Sequence, residues 1–490
     1  MLTADKAQQT SRQSAEGLPE HYFMLAGQWR EGTPYTIHCP YDGSPVAVVH
    51  KAAPADLEEA MQAAVRGLQV TRKLPGHKRA AILRKIAESL TAATEEMART
   101  IALEAGKPIK QARGEVGRAV GVFSVAAEEA VRLQDEAIHM DAVPGGENRQ
   151  GLIRRFPIGP IAAITPFNFP LNLVAHKLAP AIAAGCPVVL KPASQTPISA
   201  LMLARMVIDA GWPSEALSVM PLNTADAAPL VEDERFKLLT FTGSPAVGWD
   251  MMRRATGNKR VTLELGGNAG VIIHDDADLD FAAERCVFGG YSYAGQSCIS
   301  VQRIYVHRNV YQQFLDSLVP KVQALKVGPP LDESTDLGSL ITLGDGQRVQ
   351  GWLEEAITGG ARCLAGGKVE GAVVQPTVVV EAAPDMQVNS RELFAPVVTV
   401  TPYADFDEAV RSVNASEYGL QAGVFTRDVN RIFTAYEELE VGGVIINDVP
   451  AFRLDQMPYG GVKMSGMGRE GLKYAIEEMT EPKLLVINLT

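Results

Sequence analysis

The stretch "LLTFTGSPAVG" (238–248) runs an apolar segment into a Thr-Gly-Ser turn and then a helix start near Pro245. The segment does not alternate polar with apolar residues, which predicts a strand buried on both faces. A strand that hands a small-residue turn to a helix N-terminus suits an anion, because free backbone N–H groups and the helix dipole converge there. Taken alone, the stretch equally fits an ordinary helix with Ser244 as N-cap.

The same rhythm extends in both directions. Upstream lie "IAAIT" (161–165), "PVVLKP" (187–192) and "LSVMP"; downstream lie "VTLELGG", "AGVIIH", "QRIYVH", "PTVVV", "VVTVTPY", "AGVFT" and "VGGVIIND". Short apolar runs alternating with helical stretches predict β-α-β units on parallel sheets, with ligands at the carboxyl ends of the strands. From Pro54 to about Leu133 the chain is Ala-rich with apolar residues three and four apart, a helical layer. The expected fold class is α/β, with a second α/β domain over 266–475 and a frayed N-terminus over 1–20. The terminal "KLLVINL" (483–489) reads as an isolated strand that needs a partner edge, in the same subunit or on a neighbour.

Composition narrows the function. The chain has 490 residues, 46% hydrophobic and 21% charged, with a formal net charge of -11. No block of like charge points to nucleic acid or an anionic membrane surface, and no run of 18 apolar residues points to a membrane span. A small-molecule enzyme in the cytoplasm is the expectation. Five cysteines (Cys39, Cys186, Cys286, Cys298, Cys363), none in C-x-x-C, argue against a disulfide framework or a structural metal.

"SGMGREG" (465–471) carries the G-x-G-x-x-G spacing of a dinucleotide cradle. "MPYGGVKM" precedes it where a buried strand should stand, so the spacing carries no cofactor meaning here. In "VVLKPASQTP", Lys191 at a strand end is able to reach a ribose or phosphate, or is simply a solvated lysine.

Three residues suggest chemistry. Cys298 in "YSYAGQSCIS" sits on a small, polar loop open to substrate, and a thiolate is a strong nucleophile. Glu264 in "TLELGGN" stands inside an apolar strand, where desolvation makes a carboxylate a base active near neutral pH. Asn168 in "TPFNFP" follows a strand end, where its NH2 can donate to an oxyanion. Each also has a plain structural reading: a buried thiol, a carboxylate satisfied by backbone N–H groups, a turn asparagine.

Taken in order, "ITPFNFPLN", "LKPASQTP", "FTGSPAVG", "LELGGN", "GQSC", "ELFAPV" and "PYGGVKMSGMGREG" resemble the aldehyde dehydrogenase superfamily over nearly the whole chain. The resemblance implies a Rossmann-like NAD(P)-binding domain (21–134 and 157–265), a catalytic domain (266–475) and an oligomerisation arm (135–156 and 476–490). It implies Cys298 as nucleophile, Glu264 as base, Asn168 as oxyanion donor, and Lys177 with Glu470 as a proton relay. It further implies cofactor contacts from Thr165, Pro166, Phe167, Lys191, Ser194, Gly243, Ser244, Leu265, Glu392 and Phe394.

Two departures stand out. Ser194 occupies a position where many NAD-preferring relatives carry a glutamate that repels a 2′-phosphate, so NADP+ is expected to be accepted. Pro221 occupies the place of a common family glycine near the adenine. On the substrate side the resemblance points to Phe169, Ser297 and Ile299, with Arg118 and Arg453 at the mouth able to clamp an anion. "FRLDQMPYGGVKMSG" looks most like the branch acting on lactaldehyde and related small hydroxy- or anionic aldehydes. A semialdehyde or broad-specificity dehydrogenase, or an idle structural protein on this fold, are the alternatives. A homodimer or homotetramer is the expected assembly.

Overall fold

The computed structural model describes residues 12–14, 17–133 and 135–489. Most of the expected frayed terminus (1–11, 15 and 16) lies outside the described residues, while Arg12–Gln13 pairs antiparallel with Pro19 and Glu20.

Five parallel strands form the centre of an eight-stranded sheet, in the spatial order Arg260–Glu264, Leu238–Thr242, Ile161–Ile164, Val188–Lys191, Leu217–Val219. Chain order therefore reverses between Ile161–Ile164 and Leu238–Thr242. Their following loops diverge to opposite sides and leave a crevice at the carboxyl ends. Phe23–Leu25 and Gln28–Arg30 extend one edge antiparallel, and Gly466–Met467 closes the other.

Helices cover the sheet. The helix Pro54–Thr71 begins with Pro at its first turn and Asp56 accepting the Ala53 N–H at 2.8 Å, and it buries Leu57, Ala60, Met61 and Ala64. The helix Asn172–Ala184 is buried along all 13 residues, so its two basic side chains, His176 and Lys177, need internal partners.

A second sheet of seven strands runs in the order Arg362–Ala365, Thr377–Val380, Val397–Tyr403, Val301–His307, Ala269–Ile273, Gln421–Phe425, Gly443–Ile446. It is parallel except at the Arg362–Ala365 edge. The terminal strand Thr480–Asn488 finds its partner within the chain, pairing antiparallel with Arg149–Pro157, which also pairs with Glu136–Ile138. This small sheet stands apart from both cores and leaves Leu484, Leu485, Val486 and Ile487 exposed.

The glycine-spaced segment is an edge strand and a bend. Gly466 at φ 133° pairs with Glu264, and a Cβ there would lie 2.0 Å from the Leu263 carbonyl oxygen. Its glycines let the segment close over the strand carrying Glu264. Among the described residues no helix is long and apolar enough to cross a membrane.

Candidate active site

A cavity of about 860 Å³ is walled on one side by the strand ends Thr242 and Glu264 of the first sheet and on the other by the helix Leu279–Tyr291 and by loops around Cys298, Glu392 and Arg453. Cys298 faces it from a turn that follows three consecutive positive-φ residues, Tyr293, Ala294 and Gly295. Gln296 pins that turn: its Oε1 accepts the Ile341 N–H at 2.9 Å and its Nε2 donates to the Ser339 carbonyl at 3.2 Å. Cys298 Sγ lies 3.1 Å from the Tyr459 hydroxyl. Burial outweighs the Tyr459 hydrogen bond and the Arg453 charge, which pull the other way, and leaves the thiol pushed up to about 11.

Glu264 ends its strand against the cavity with neither carboxyl oxygen hydrogen-bonded. Desolvation, then the neighbouring Glu470 charge, raise it well above the ordinary carboxylate range. Two glycines follow one residue later, after Leu265. A Cβ on Gly267 would lie 2.1 Å from the Cys298 carbonyl oxygen, so this residue type lets the Glu264 strand exit against the thiol turn.

Asn168 is buried, donates one N–H to the Gln296 carbonyl at 3.0 Å, and leaves its Oδ1 unpartnered. An amide NH2 carries a second N–H. Glu470 is paired with Lys177 and reached by Arg453 at 3.4 Å. Burial pushes Glu470 up, and the charges of Lys177, His176 and Arg453 outweigh it and hold the carboxyl low.

Of the cofactor candidates, Pro166, Phe167, Gly243, Ser244, Leu265, Glu392 and Phe394 line the same cavity. Thr165, Lys191 and Ser194 lie outside its wall along the same sheet edge; Thr165 donates its N–H to the Lys191 carbonyl at 3.2 Å. Pro221 accepts the Ala52 N–H at 2.9 Å through its carbonyl. Phe169, Ser297, Ile299, Arg118 and Arg453 also line the cavity. Arg118 donates to Asp455 at 2.7 Å, and Asp455 also meets His176 at 2.8 Å. Every expected site residue therefore falls on or beside one crevice.

A model of the aldehyde dehydrogenase family matches residues 29–485. The chain belongs to that family. The 3-sulfolactaldehyde dehydrogenase of Priestia aryabhattai is 46% identical over 92% of this chain and 94% of its own. Aldehyde dehydrogenase 21 of Physcomitrella patens, solved in complex with the reaction product succinate, superposes with a TM-score of 0.94 at 44% identity, covering 96% of this chain and 98% of its own. Glyceraldehyde-3-phosphate dehydrogenase of Methanocaldococcus jannaschii, solved with NADP, gives a TM-score of 0.89 at 39% identity over 94% and 99% of the two chains.

This aldehyde dehydrogenase is NAD(P)-dependent, and its crevice fits the dinucleotide. Ser244 is the N-cap of Pro245–Arg254 but makes no capping bond, so its hydroxyl is free for a phosphate. The hydroxyls of Thr165 and Thr242 are buried without partners. Glu392 is pushed up to about 7 by burial, against the pull of the Gly267 N–H that it accepts at 2.9 Å.

Two features of the site escape a sequence reading. Lys107 is fully buried, paired with Glu115, and donates to the Asn168 carbonyl at 2.8 Å. Glu115 in turn accepts the N–H groups of Leu171 and Asn172 at 3.0 and 3.1 Å, fixing the loop that carries Asn168. Tyr459 is the other, 161 residues from the thiol that it touches. Nothing local signals either: Lys107 and Glu115 flank Lys110, Gln111 and Arg113, so their charges do not stand out, and Tyr459 is marked only by its contact with the sulfur. Among the described residues one cluster of metal-ligating type occurs, His274, Asp275 and His307. His274 already meets the Tyr403 hydroxyl at 2.8 Å.

Proposed function

We propose that this enzyme oxidises a small hydroxy- or anionic aldehyde to the free acid through a covalent thioester on Cys298. The observation that carries the reading is one cavity wall holding a thiol, an unpartnered buried carboxylate and a buried amide donor: Cys298, Glu264 and Asn168.

The Cys298 thiolate attacks the aldehyde carbon, and the carbonyl electron pair moves to oxygen. The second N–H of Asn168 and the Cys298 backbone N–H, which makes no hydrogen bond, receive that oxyanion. When bound, NAD(P)+ supplies the acceptor for the hydride that leaves the tetrahedral carbon. Glu264 then takes a proton from water, the hydroxide adds to the thioester, and the thiolate leaves with the product acid released. Lys177 and Glu470, paired beside Glu264, carry the proton onward. A thioester passed to an external thiol needs no such base, so Glu264 favours hydrolysis.

The substrate class rests on the mouth. Arg118 and Arg453 each retain a buried Nε with no partner, two donors able to meet a carboxylate, phosphate or sulfonate. Arg118→Met should raise KM for an anionic aldehyde about tenfold to a hundredfold, the scale of a charge-assisted hydrogen bond, while leaving KM for lactaldehyde within about twofold. Equal KM changes for the charged and the uncharged aldehyde contradict the clamp.

NADP+ is the cofactor that the ribose end accommodates. Ser194 has no charge, and two lysines, Lys191 and Lys51, make this edge basic; burial and then the Lys51 charge hold Lys191 below its usual range. Lys51 lies over the Tyr35 ring at 4.5 Å, and the Tyr35 hydroxyl donates to the Ser194 carbonyl at 3.2 Å. Ser194→Glu should lower kcat/KM with NADP+ about tenfold to a hundredfold relative to NAD+, as like-charge repulsion of about 1.4 to 2.8 kcal/mol gives. An unmoved ratio defeats this role for Ser194.

The segments 135–156 and 476–490 serve assembly into a homodimer or homotetramer in this reading. Support comes from the small sheet they form, whose Leu152, Leu484, Leu485 and Val486 are exposed on a strand pair remote from both cores. Residues 21–134 and 157–265 hold the cofactor and 266–475 supply the thiol. All five cysteines are free, which fits a reducing cytoplasm.

A further inference from the structure

We propose that Tyr459 is a catalytic residue of this enzyme: its hydroxyl donates to Cys298 Sγ and, with Arg453 stacked on its ring, eases ionisation of the buried sulfur to the thiolate that attacks the aldehyde. The inference rests on Cys298 being the nucleophile and adds how a buried thiol is made reactive.

The need is physical. Cys298 packs with Ile299, Leu420 and Tyr459, a surrounding that disfavours the charged sulfur. Both nearby carboxylates, Glu392 and Glu264, oppose ionisation further. No histidine or lysine makes a hydrogen bond to Sγ; the one hydrogen-bond partner of the sulfur among the described residues is the Tyr459 hydroxyl at 3.1 Å. A hydrogen bond to an ionised acceptor is roughly twice as strong as a neutral one, so the contact favours the thiolate over the thiol.

Arg453 strengthens the donor. Its guanidinium carbon lies 3.5 Å from the Tyr459 ring centroid, and a cation over the ring face draws electron density from the phenol oxygen. Glu470 fixes the guanidinium from the other side at 3.4 Å. Tyr459 itself is fixed by two backbone hydrogen bonds with Glu470, at 3.0 and 2.6 Å. Burial holds the phenol well above its usual range, so it keeps its proton and remains a donor throughout the working pH range. When the thiol ionises, its proton leaves to solvent through the cavity mouth and the tyrosine proton stays on oxygen.

The test is the pH dependence of Cys298 alkylation by iodoacetamide, measured on the full-length protein without aldehyde or cofactor, with Cys298→Ser identifying the modified residue. Tyr459→Phe keeps the ring and removes the donor. It should raise the midpoint by about one pH unit and slow alkylation about tenfold at pH values below it. Leu420→Val alters packing in the same cluster without touching the hydrogen bond and should leave the midpoint in place. If Tyr459→Phe does not fold, Tyr459→Leu, which also lacks the donor and keeps the Arg453 charge, should shift the midpoint the same way. A midpoint unmoved in the folded variants overturns the proposal. Alkylation without any loss of aldehyde oxidation would instead overturn the reading of Cys298 as the nucleophile.

Discussion

Cys298→Ser should abolish aldehyde oxidation, with kcat falling by about 10⁴-fold or more, while NAD(P)+ binding changes little. The alcohol that replaces the thiol titrates far above it and is a much weaker nucleophile, and among the described residues no carboxylate or imidazole is hydrogen-bonded to that atom to act as its base. Neither Cys186 nor Cys286 can substitute, since both are buried away from the cavity. Burial pushes Cys186 up to about 11, and it raises Cys286 as well. Steady-state rates with either cofactor measure the loss, and binding titration of the cofactor by fluorescence separates it from misfolding. Retained turnover would remove the covalent route altogether.

Glu264→Gln should divide the reaction in two. Acylation and reduction of the cofactor need no general base at Glu264, so rapid mixing should show one equivalent of NAD(P)H per site. Hydrolysis then slows about 10² to 10⁴-fold, the usual contribution of a positioned base. Size and packing are preserved, and because neither oxygen of Glu264 has a partner, no hydrogen bond is lost. Thermal stability should therefore not fall. The pH dependence carries the sign: burial and the Glu470 charge raise Glu264, and only its deprotonated form accepts a proton from water. Deacylation in the wild type should rise with pH through that raised pKa, and the rise should be missing in Glu264→Gln.

The sequence carried the repeated strand-and-helix units because both parallel sheets are buried on both faces and so appear as continuous apolar runs. Each of the quoted runs from "IAAIT" to "VGGVIIND" contains a strand. It did not carry the early strands between residues 19 and 51: most are half-exposed at a sheet edge or in a small separate sheet, and Phe23–Leu25, though buried, is only three residues long. There the alternation is brief, and pairing partners such as Val219 for Met24 lie far along the chain. The terminal strand was readable as a strand but not its partner, for the same reason.

At the site, residues marked by local oddity were readable: a carboxylate in an apolar strand, a cysteine on a small-residue loop, an asparagine between aromatics and prolines. Residues whose meaning comes from tertiary contact were not. Lys107 and Glu115 matter because they hold the Asn168 loop, and Tyr459 because a bend near Gly460 brings its hydroxyl to the sulfur. Arg453 changed most in meaning. It was readable as a cation at the mouth, yet it is packed on Tyr459 and bound to Glu470, within the cluster around Cys298.

The central claim is a thioester on Cys298 that Glu264 helps water to cleave. Its most direct test is mass spectrometry of Glu264→Gln quenched in acid after mixing with aldehyde and NADP+. The account predicts an added mass equal to the acyl group, mapped to the Cys298 peptide and absent without cofactor. Full turnover by Glu264→Gln with no adduct on Cys298 would contradict it.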